Sequence, residues 1–486
     1  MSAGGAPAQA ERAADAVVVG SGPNGLAAAV TLARAGLSVA VYEGAESPGG
    51  GCRTAELTLP GFAHDVCSTV HPMLGVSPFF TRSPLPGLRT LAPEVAFAHP
   101  LDGGRAARVA ASVSDTADWL AADGPAYERL IGPVVDDAAE ITPAILRPLL
   151  AVPRHPLALA RFGLRGLAPV SILARRFTTP EGRALLAGLG AHAMQPLGAA
   201  GTGAFALFLG ALAHVAGWPV VEGGSVRITE ALVAELEAAG GLLRTGRFIE
   251  RLDELPPARL KLLDVTPKQL IQLAGGSLPG RYDAAMRRFR YGPGIFKVDW
   301  ALAGPVPWAN EACRRTATIH VGGSFEEVAH SEFQVASGRH CERPFCIAVQ
   351  PCVVDPDRAP DGRETFYAYC HVPAGSTVDM SERIEAQIER FAPGSASWCW
   401  RVPRATRSRW SARTPTTSAA TSTAGRRPCC RPCSGRCRAC THTAPRWRVS
   451  TSAPPRHPPA AACTGCAARA PRSRPCATCA EGHSGA

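Results

Sequence analysis

The sequence predicts an α/β protein: a parallel sheet begun by an N-terminal strand–turn–helix unit, with a second domain of mixed sheet and helices inserted into it. Three observations predict this. An uninterrupted apolar run, Ala16 to Val19, enters the glycine-spaced turn Gly20-Ser21-Gly22-Pro23-Asn24-Gly25. An Ala- and Leu-rich stretch follows, and a second apolar run from Ser38 to Tyr42 ends on the acid Glu43. Finally, 486 residues with 46% hydrophobic content are enough for two or three domains with large cores.

Each element of the N-terminal unit has a physical reason. A strand with no polar interruption suits burial on both faces of a parallel sheet. Leu26 to Ala35 is helical in propensity and stops at Gly36. Gly20 permits the tight turn, Gly22 lets backbone N–H groups approach a pyrophosphate at the positive helix end, and Gly25 lets helix and strand pack closely. Pro23 and Asn24 complete this Rossmann-like loop. Glu43 follows at the distance where a carboxylate can accept hydrogen bonds from ribose hydroxyls. An ordinary βα turn is the alternative, and strand, glycines, helix, strand and acid in that order outweigh it.

Beyond Glu43 comes Gly49-Gly50-Gly51-Cys52-Arg53-Thr54, then Pro60-Gly61-Phe62, and His64-Asp65 through His71-Pro72. With these residues the sequence resembles the flavoprotein family of amine oxidases and phytoene desaturases. Within it, the sequence looks like the branch of pyridine nucleotide-disulphide oxidoreductase domain-containing proteins. The resemblance implies FAD as cofactor, with Gly50 and Gly51 continuing the pyrophosphate site, Arg53 facing the pyrophosphate and Thr54 the isoalloxazine edge. It also implies that Ile249 packs near the adenine and that Asp264-Val265-Thr266-Pro267 lies close to the cofactor. For Arg53 and Thr54 a Gly-rich turn with a solvated arginine is the plainer reading.

In the middle of the chain, Ala117 to Leu150 and Leu157 to Phe177 read as helices with mixed faces. By resemblance they cover a substrate channel. Ala184 to Val221 is uncharged but holds His192, Gln195, Pro196 and His214, so it reads as a buried helical layer rather than a membrane span. Ser225 is a candidate N-cap for Val226 to Ala238. Gly246 to Ile249 and Leu262 to Val265 look like returning strands of the flavin domain. Phe296 to Leu302 alternates like a strand of the substrate domain. By resemblance Lys297 on that strand is the catalytic candidate, set against a salt-bridged strand lysine; His71 and Tyr369 are weaker candidates. Domain boundaries follow: residues 1–75 and 220–285 for the FAD-binding domain, 76–219 and 286–394 for the substrate domain. There is no C-x-x-C pair before residue 395 and no second G-x-G-x-x-G for NAD(P)H.

Ser395 to Ala486 is a different text. It has no Leu, Ile, Phe, Tyr or Met, sixteen Arg against the single acid Glu481, and ten of the 17 Cys. Such a segment buries too little apolar surface to fold. Residues 1 to 394 carry 35 Lys+Arg against 39 Asp+Glu, a net −4, so the pI of 9.1 and any nucleic-acid reading rest on the tail alone. Its C-x-x-C pairs, beginning with Cys430 and Cys433, suggest zinc. A codon argument outweighs that reading. Shifted by one base, Ala412 to Gly425 can be read ENPNYVGGDINGG, and Ser395 onward can complete FAPG into FAPGFRELVLAR. These texts resemble the family's C-terminal segment, whose last strand and Gly-rich turn complete the flavin site. The tail is therefore expected to be out of frame and unstructured, with no metal site and no nucleic acid partner.

The N-terminus shows neither a signal nor a transit pattern, and the seven unpaired cysteines before residue 395 suit a reduced compartment, so a cytoplasmic protein is expected. No transmembrane segment is expected, which leaves room for peripheral membrane contact. The expected function is an FAD-dependent oxidoreductase taking hydride from a small apolar organic substrate, phytoene desaturase-like, and passing electrons to an unidentified acceptor. The alternatives are a flavin amine oxidase, a non-catalytic FAD-stabilised interaction protein, or the inactive product of a frame slip.

Overall fold

A computed structural model describes residues 13–147, 152–395 and 408–411. Its strands in chain order are β1 (Ala14–Val19), β2 (Val39–Tyr42), β3 (Thr54–Ala55), β4 (His64–Asp65), β5 (Thr90–Leu91), β6 (Val95–Pro100), β7 (Ala106–Ala110) and β8 (Val220–Val221). They continue with β9 (Leu242–Arg244), β10 (Ala258–Leu263), β11 (Gly294–Leu302), β12 (Thr318–Val321), β13 (Cys346–Val349), β14 (Glu364–Val372) and β15 (Ser408–Ser411).

Four of these form an all-parallel sheet in the order β10-β1-β2-β9. Its centre is β1, where Val18 sits opposite both Val41 and Leu262. Both faces are covered, which explains the uninterrupted apolar strands. On one face the helices Pro23–Arg34 and Val226–Ala238 bring Leu26, Val30, Ile228 and Leu232 onto Val18 and Val41. On the other, Leu270 and Leu273 of helix Pro267–Ala274 join Val17, Val19 and Tyr42. This three-layer arrangement is the α/β fold expected.

The second sheet has seven strands in the order β15-β11-β14-β13-β12-β6-β7, antiparallel except where β12 meets β6. Helices Gly124–Asp136, Pro180–Ala191 and Thr202–Val215 pack on one face through Ile131, Leu185, Leu189 and Leu212. Ala184 to Val221 is thus a buried helical layer ending in β8, as its polar residues implied. Among the described residues no single helix is long and apolar enough to cross a membrane; the pair Pro156–Gly166 and Val170–Arg176 reaches that length and apolarity only together, across an 87° bend.

Three local expectations need correction. The strand placed at Gly246 to Ile249 is instead β9, Leu242–Arg244. Gly246 takes φ +66°, turning the chain away from β2 so that Ile249 drops into the core beside Tyr42. The next strand starts earlier and ends at Leu263, because Asp264 and Thr266 turn to serve helix N-termini instead. Ser225 holds the N-cap position of its helix but makes no side-chain cap bond; its hydroxyl donates to Ser68 O and its backbone N–H donates to Asp65 Oδ1. The expectation of an unstructured tail has one exception, since Ser408–Ser411 pairs antiparallel with β11. The C-x-x-C pairs lie outside the described residues.

Candidate functional site

At the C-terminal end of β1 the glycines are required by contact. Gly20 takes φ +99°, and a Cβ there would lie 2.6 Å from the carbonyl oxygen of Asp264. A Cβ on Gly25 would lie 2.3 Å from the Gly20 carbonyl oxygen. Both positions therefore exclude any other residue. Gly22 caps helix Pro23–Arg34 with no side-chain cap, and Pro23 sits in the first turn. The positive helix end is met by a carboxylate, as Gly25 N–H donates to Asp264 Oδ2 at 3.0 Å.

The second glycine loop closes on the first. A Cβ on Gly50 would stand 3.0 Å from the Gly22 Cα, and Gly49 N–H donates to Ser21 O at 3.0 Å. Gly51 has only Cys67 within 4 Å of a Cβ position. Glu43 folds over this junction: Oε2 accepts from Ser21 N–H at 2.9 Å and from the Ser21 hydroxyl at 2.6 Å, while Oε1 accepts from Ala45 N–H at 2.9 Å. Arg53 donates from Nε to Gly50 O at 2.9 Å, which places its guanidinium at the lip of the double loop. Asn24 is half-buried in the first turn of the helix. Two backbone loops that meet at Gly22 and Gly50, bridged by the Ser21 hydroxyl accepting from Gly49 N–H at 3.3 Å and bordered by a carboxylate, fit a dinucleotide: N–H groups for phosphates and Glu43 for a sugar.

Thr54 leads from this cradle into a buried charged junction with the second sheet. Its hydroxyl donates to Asp65 Oδ1 at 2.7 Å and accepts from Val226 N–H at 3.1 Å. Asp65 Oδ2 is paired with Arg358 at 3.1 Å, and Arg358 also holds Asp355 at 2.7 Å. Lys297 donates to the Asp65 carbonyl oxygen at 3.0 Å and to the Asp299 carboxylate, and its ammonium lies 4.2 Å from the Tyr367 ring centroid. Apart from the half-buried Thr54, all of these side chains are buried. Burial pushes the Asp65 carboxyl up, but Arg358, Thr54 and the Ser225 N–H outweigh it and hold it below the usual range. Burial pulls His64, 3.6 Å from Asp299, down to about 4 against the pull of that carboxylate. His64 is therefore neutral near pH 7.

The three catalytic candidates converge here. Tyr369 faces Lys297 directly across β14 and β11, and His71 Nε2 lies 3.1 Å from the hydroxyl of Ser225, whose backbone N–H donates to Asp65 Oδ1. Ile249 is apart from them, in the core on the far face of the parallel sheet. Sequence reasoning missed Arg358, Asp355 and Asp299. Asp299 had a signal, lying two residues from Lys297 on the same face of an alternating strand. Arg358 had none: Asp355 lies only three residues before it, but Asp65, the carboxylate that makes it part of the junction, is 293 residues away. Also unforeseen is a buried imidazole group in the second domain. His192 and His320 meet through their Nε2 atoms at 3.0 Å, His99 bonds Gly323 O at 2.7 Å, and His371 Nδ1 lies 2.9 Å from both Glu332 oxygens.

Comparison with known proteins agrees with this architecture. Residues 18–81 match the family described as NAD(P)-binding Rossmann-like domain. No curated protein matches the chain. Among solved structures, the fold is similar to that of an oxidoreductase from Methanosarcina mazei, at 16% identity and TM-score 0.55, covering 78% of this chain and 85% of that one. A protein from Pyrococcus furiosus is similar at 13% identity and TM-score 0.52, covering 78% and 85%. Wild-type putrescine oxidase bound to putrescine is similar at 20% identity and TM-score 0.51, covering 80% and 83%. At these identities the likeness shows the fold: a Rossmann-like dinucleotide domain joined to a second, mixed-sheet domain.

Proposed function

We propose that this chain is an FAD-dependent oxidoreductase of phytoene desaturase-like chemistry, acting in the cytoplasm on a small apolar organic substrate. The observation that carries the reading is the contact of Gly22 with Gly50, which continues the dinucleotide cradle past the pyrophosphate toward Thr54 and the charged junction. In the flavoprotein family that the sequence resembles, such an extension continues the FAD site, and NAD-binding Rossmann domains do not usually carry it. When bound, FAD supplies hydride acceptance from a substrate C–H bond.

In this reading Gly20, Gly22, Pro23, Asn24 and Gly25 present the helix end to the diphosphate, joined by Gly50, Gly51 and Arg53. Glu43 takes the ribose, Ile249 supports the adenine side, and Thr54 marks the ring end. Lys297 and Tyr369 lie beyond Thr54 on the second sheet. The Lys297 ammonium is directed to Asp65, Asp299 and the Tyr367 ring, which suits a group that fixes the junction, excludes water and presents a positive field to the reacting centre. Lys297→Met separates the two roles. A catalytic lysine loses kcat with FAD content intact, whereas a junction lysine loses soluble protein and FAD together.

An amine oxidase is the second reading, favoured by the fold shared with putrescine oxidase. The large apolar helical layer behind β14 favours the polyene instead, since a long apolar substrate needs an apolar wall. Anaerobic bleaching of the bound flavin tests this. Bleaching by polyenes and not by amines supports the proposal, and the reverse supports an amine oxidase. We also propose that residues 395 to 486 are read out of frame, supported by β10, which has no partner on its outer edge among the described residues. Sequencing the DNA around the Gly394 codon decides that point.

A further inference from the structure

Of the eleven large apolar side chains exposed among the described residues, five fall between positions 152 and 172. Val152, Leu157, Leu164, Leu167 and Ile172 are 45% to 87% exposed, while the other six are scattered. Helix Pro156–Gly166 carries the centre of this patch. At 3.6 residues per turn Leu157, Ala160, Leu164 and Leu167 share an arc of roughly 80° with Arg161 and Arg165 on one flank of it. Arg161 is paired with Asp137, while the exposed Arg154 precedes the helix and the exposed Arg175 and Arg176 follow it. The opposite side is anchored in the core by Ala158 and Phe162, and the following helix by Val170 and Leu173. The patch is therefore held rigidly outward.

Charge singles out the same segment. From Arg147 to Pro180 there is no Asp or Glu but six Arg, in a body of residues 1 to 394 whose net charge is −4. An isolated apolar patch of this kind marks an interaction surface. Its arginine flank decides among partners. A second copy would set arginine against arginine across a two-fold axis, whereas an anionic bilayer satisfies both features at once: leucines enter the acyl boundary and arginine stems follow, with their guanidinium groups at the phosphates.

We propose that residues 152 to 176 form a docking surface for an anionic lipid bilayer, on which the protein lies without crossing. The 87° bend between the two helices and their burial on the inner side fit a surface contact rather than a span. The inference stands on the patch alone and not on the proposed redox chemistry.

The test is co-sedimentation of the full chain with phosphatidylcholine vesicles, with and without phosphatidylglycerol. Three proteins are compared: the parent, Leu157→Ser/Leu164→Ser/Leu167→Ser, and Arg154→Gln/Arg175→Gln/Arg176→Gln. The parent is expected to partition to phosphatidylglycerol vesicles, the leucine variant to lose at least about tenfold, and the arginine variant roughly fivefold per arginine. The sixteen arginines of residues 395 to 486 bind the same vesicles by charge alone, so the assay is repeated in high salt, where a leucine-dependent fraction is expected to remain. Circular dichroism verifies that the exposed replacements leave the fold intact. Equal partition of parent and leucine variant overturns the proposal. So does a lipid-free dimer that the leucine variant dissolves, which would assign the patch to a second copy.

Discussion

In the four-stranded sheet every buried residue of β1 and β2 is Ala, Val or Tyr, whereas β11 and β14 of the seven-stranded sheet bury Lys297, Asp299, Thr365 and His371 among their apolar residues. The first sheet builds its site from backbone: glycines that meet glycines, and N–H groups at a helix end. The second builds its site from side chains drawn from distant positions and held by one another. A backbone site tolerates almost no change in shape, while a buried charged site tolerates almost no change in partner.

That contrast can be broken most severely with acid. Burial holds His64 and His99 at about 4 and His192 at about 3, all below the ordinary 6.5. The unfolded chain takes up protons on these rings from about pH 6.5 downward and the folded chain does not, so stability that is complete above that pH is lost as pH falls toward 4. Each ring costs roughly 2 kcal/mol at pH 5. Urea melts at pH 7 and pH 5 are expected to differ by several kcal/mol, with the second domain opening first; coincident melts would refute the neutral-imidazole core.

Next in size is Arg358→Met, which leaves the Asp65 and Asp355 carboxylates buried without their cation and is expected to cost about 3–5 kcal/mol. A loss under 1 kcal/mol in chemical denaturation would mean that water reaches the junction. On the other sheet, Gly25→Ala forces a Cβ against the Gly20 carbonyl oxygen, an expected loss of about 1–3 kcal/mol together with FAD affinity. Smallest is Glu43→Gln, which keeps the shape but removes the charge at the ribose position and turns one accepting oxygen into a donor against Ser21 or Ala45, an expected loss of roughly tenfold in FAD affinity with stability lowered by about 1 kcal/mol or less. If Glu43→Gln hurt stability more than Gly25→Ala, the division between backbone and side-chain sites would fail.

The same division governs how much could be read from the chain. The unit of β1, helix and β2, with Gly20, Gly22, Gly25 and Glu43, was legible because its pattern is complete within thirty residues, whereas β9, β10 and Asp264, which finish the sheet and press on Gly20 and Gly25, come from far along the chain. The buried layer of Ala184 to Val221 was legible from composition. β9 was not, since an exposed three-residue edge strand such as Leu242–Arg244 has almost no alternation to detect, and the glycine that ends it looked like its start. The charged junction was half visible: Lys297 and Tyr369 stood out singly, but Arg358 acquires meaning only when the fold sets it between Asp65 and Asp355. Sequence signals of contact weaken as their partners separate along the chain.

We propose that the double glycine loop grips FAD and that the residues after Gly394, as printed, fail to complete the site. Flavin absorbance of two purified proteins, the printed chain and the chain with its frame restored, decides this after equal exposure to FAD. Stoichiometric flavin is expected in the restored protein and little in the printed one. A restored protein that folds and stays colourless, or equal stoichiometric flavin in both, would contradict it.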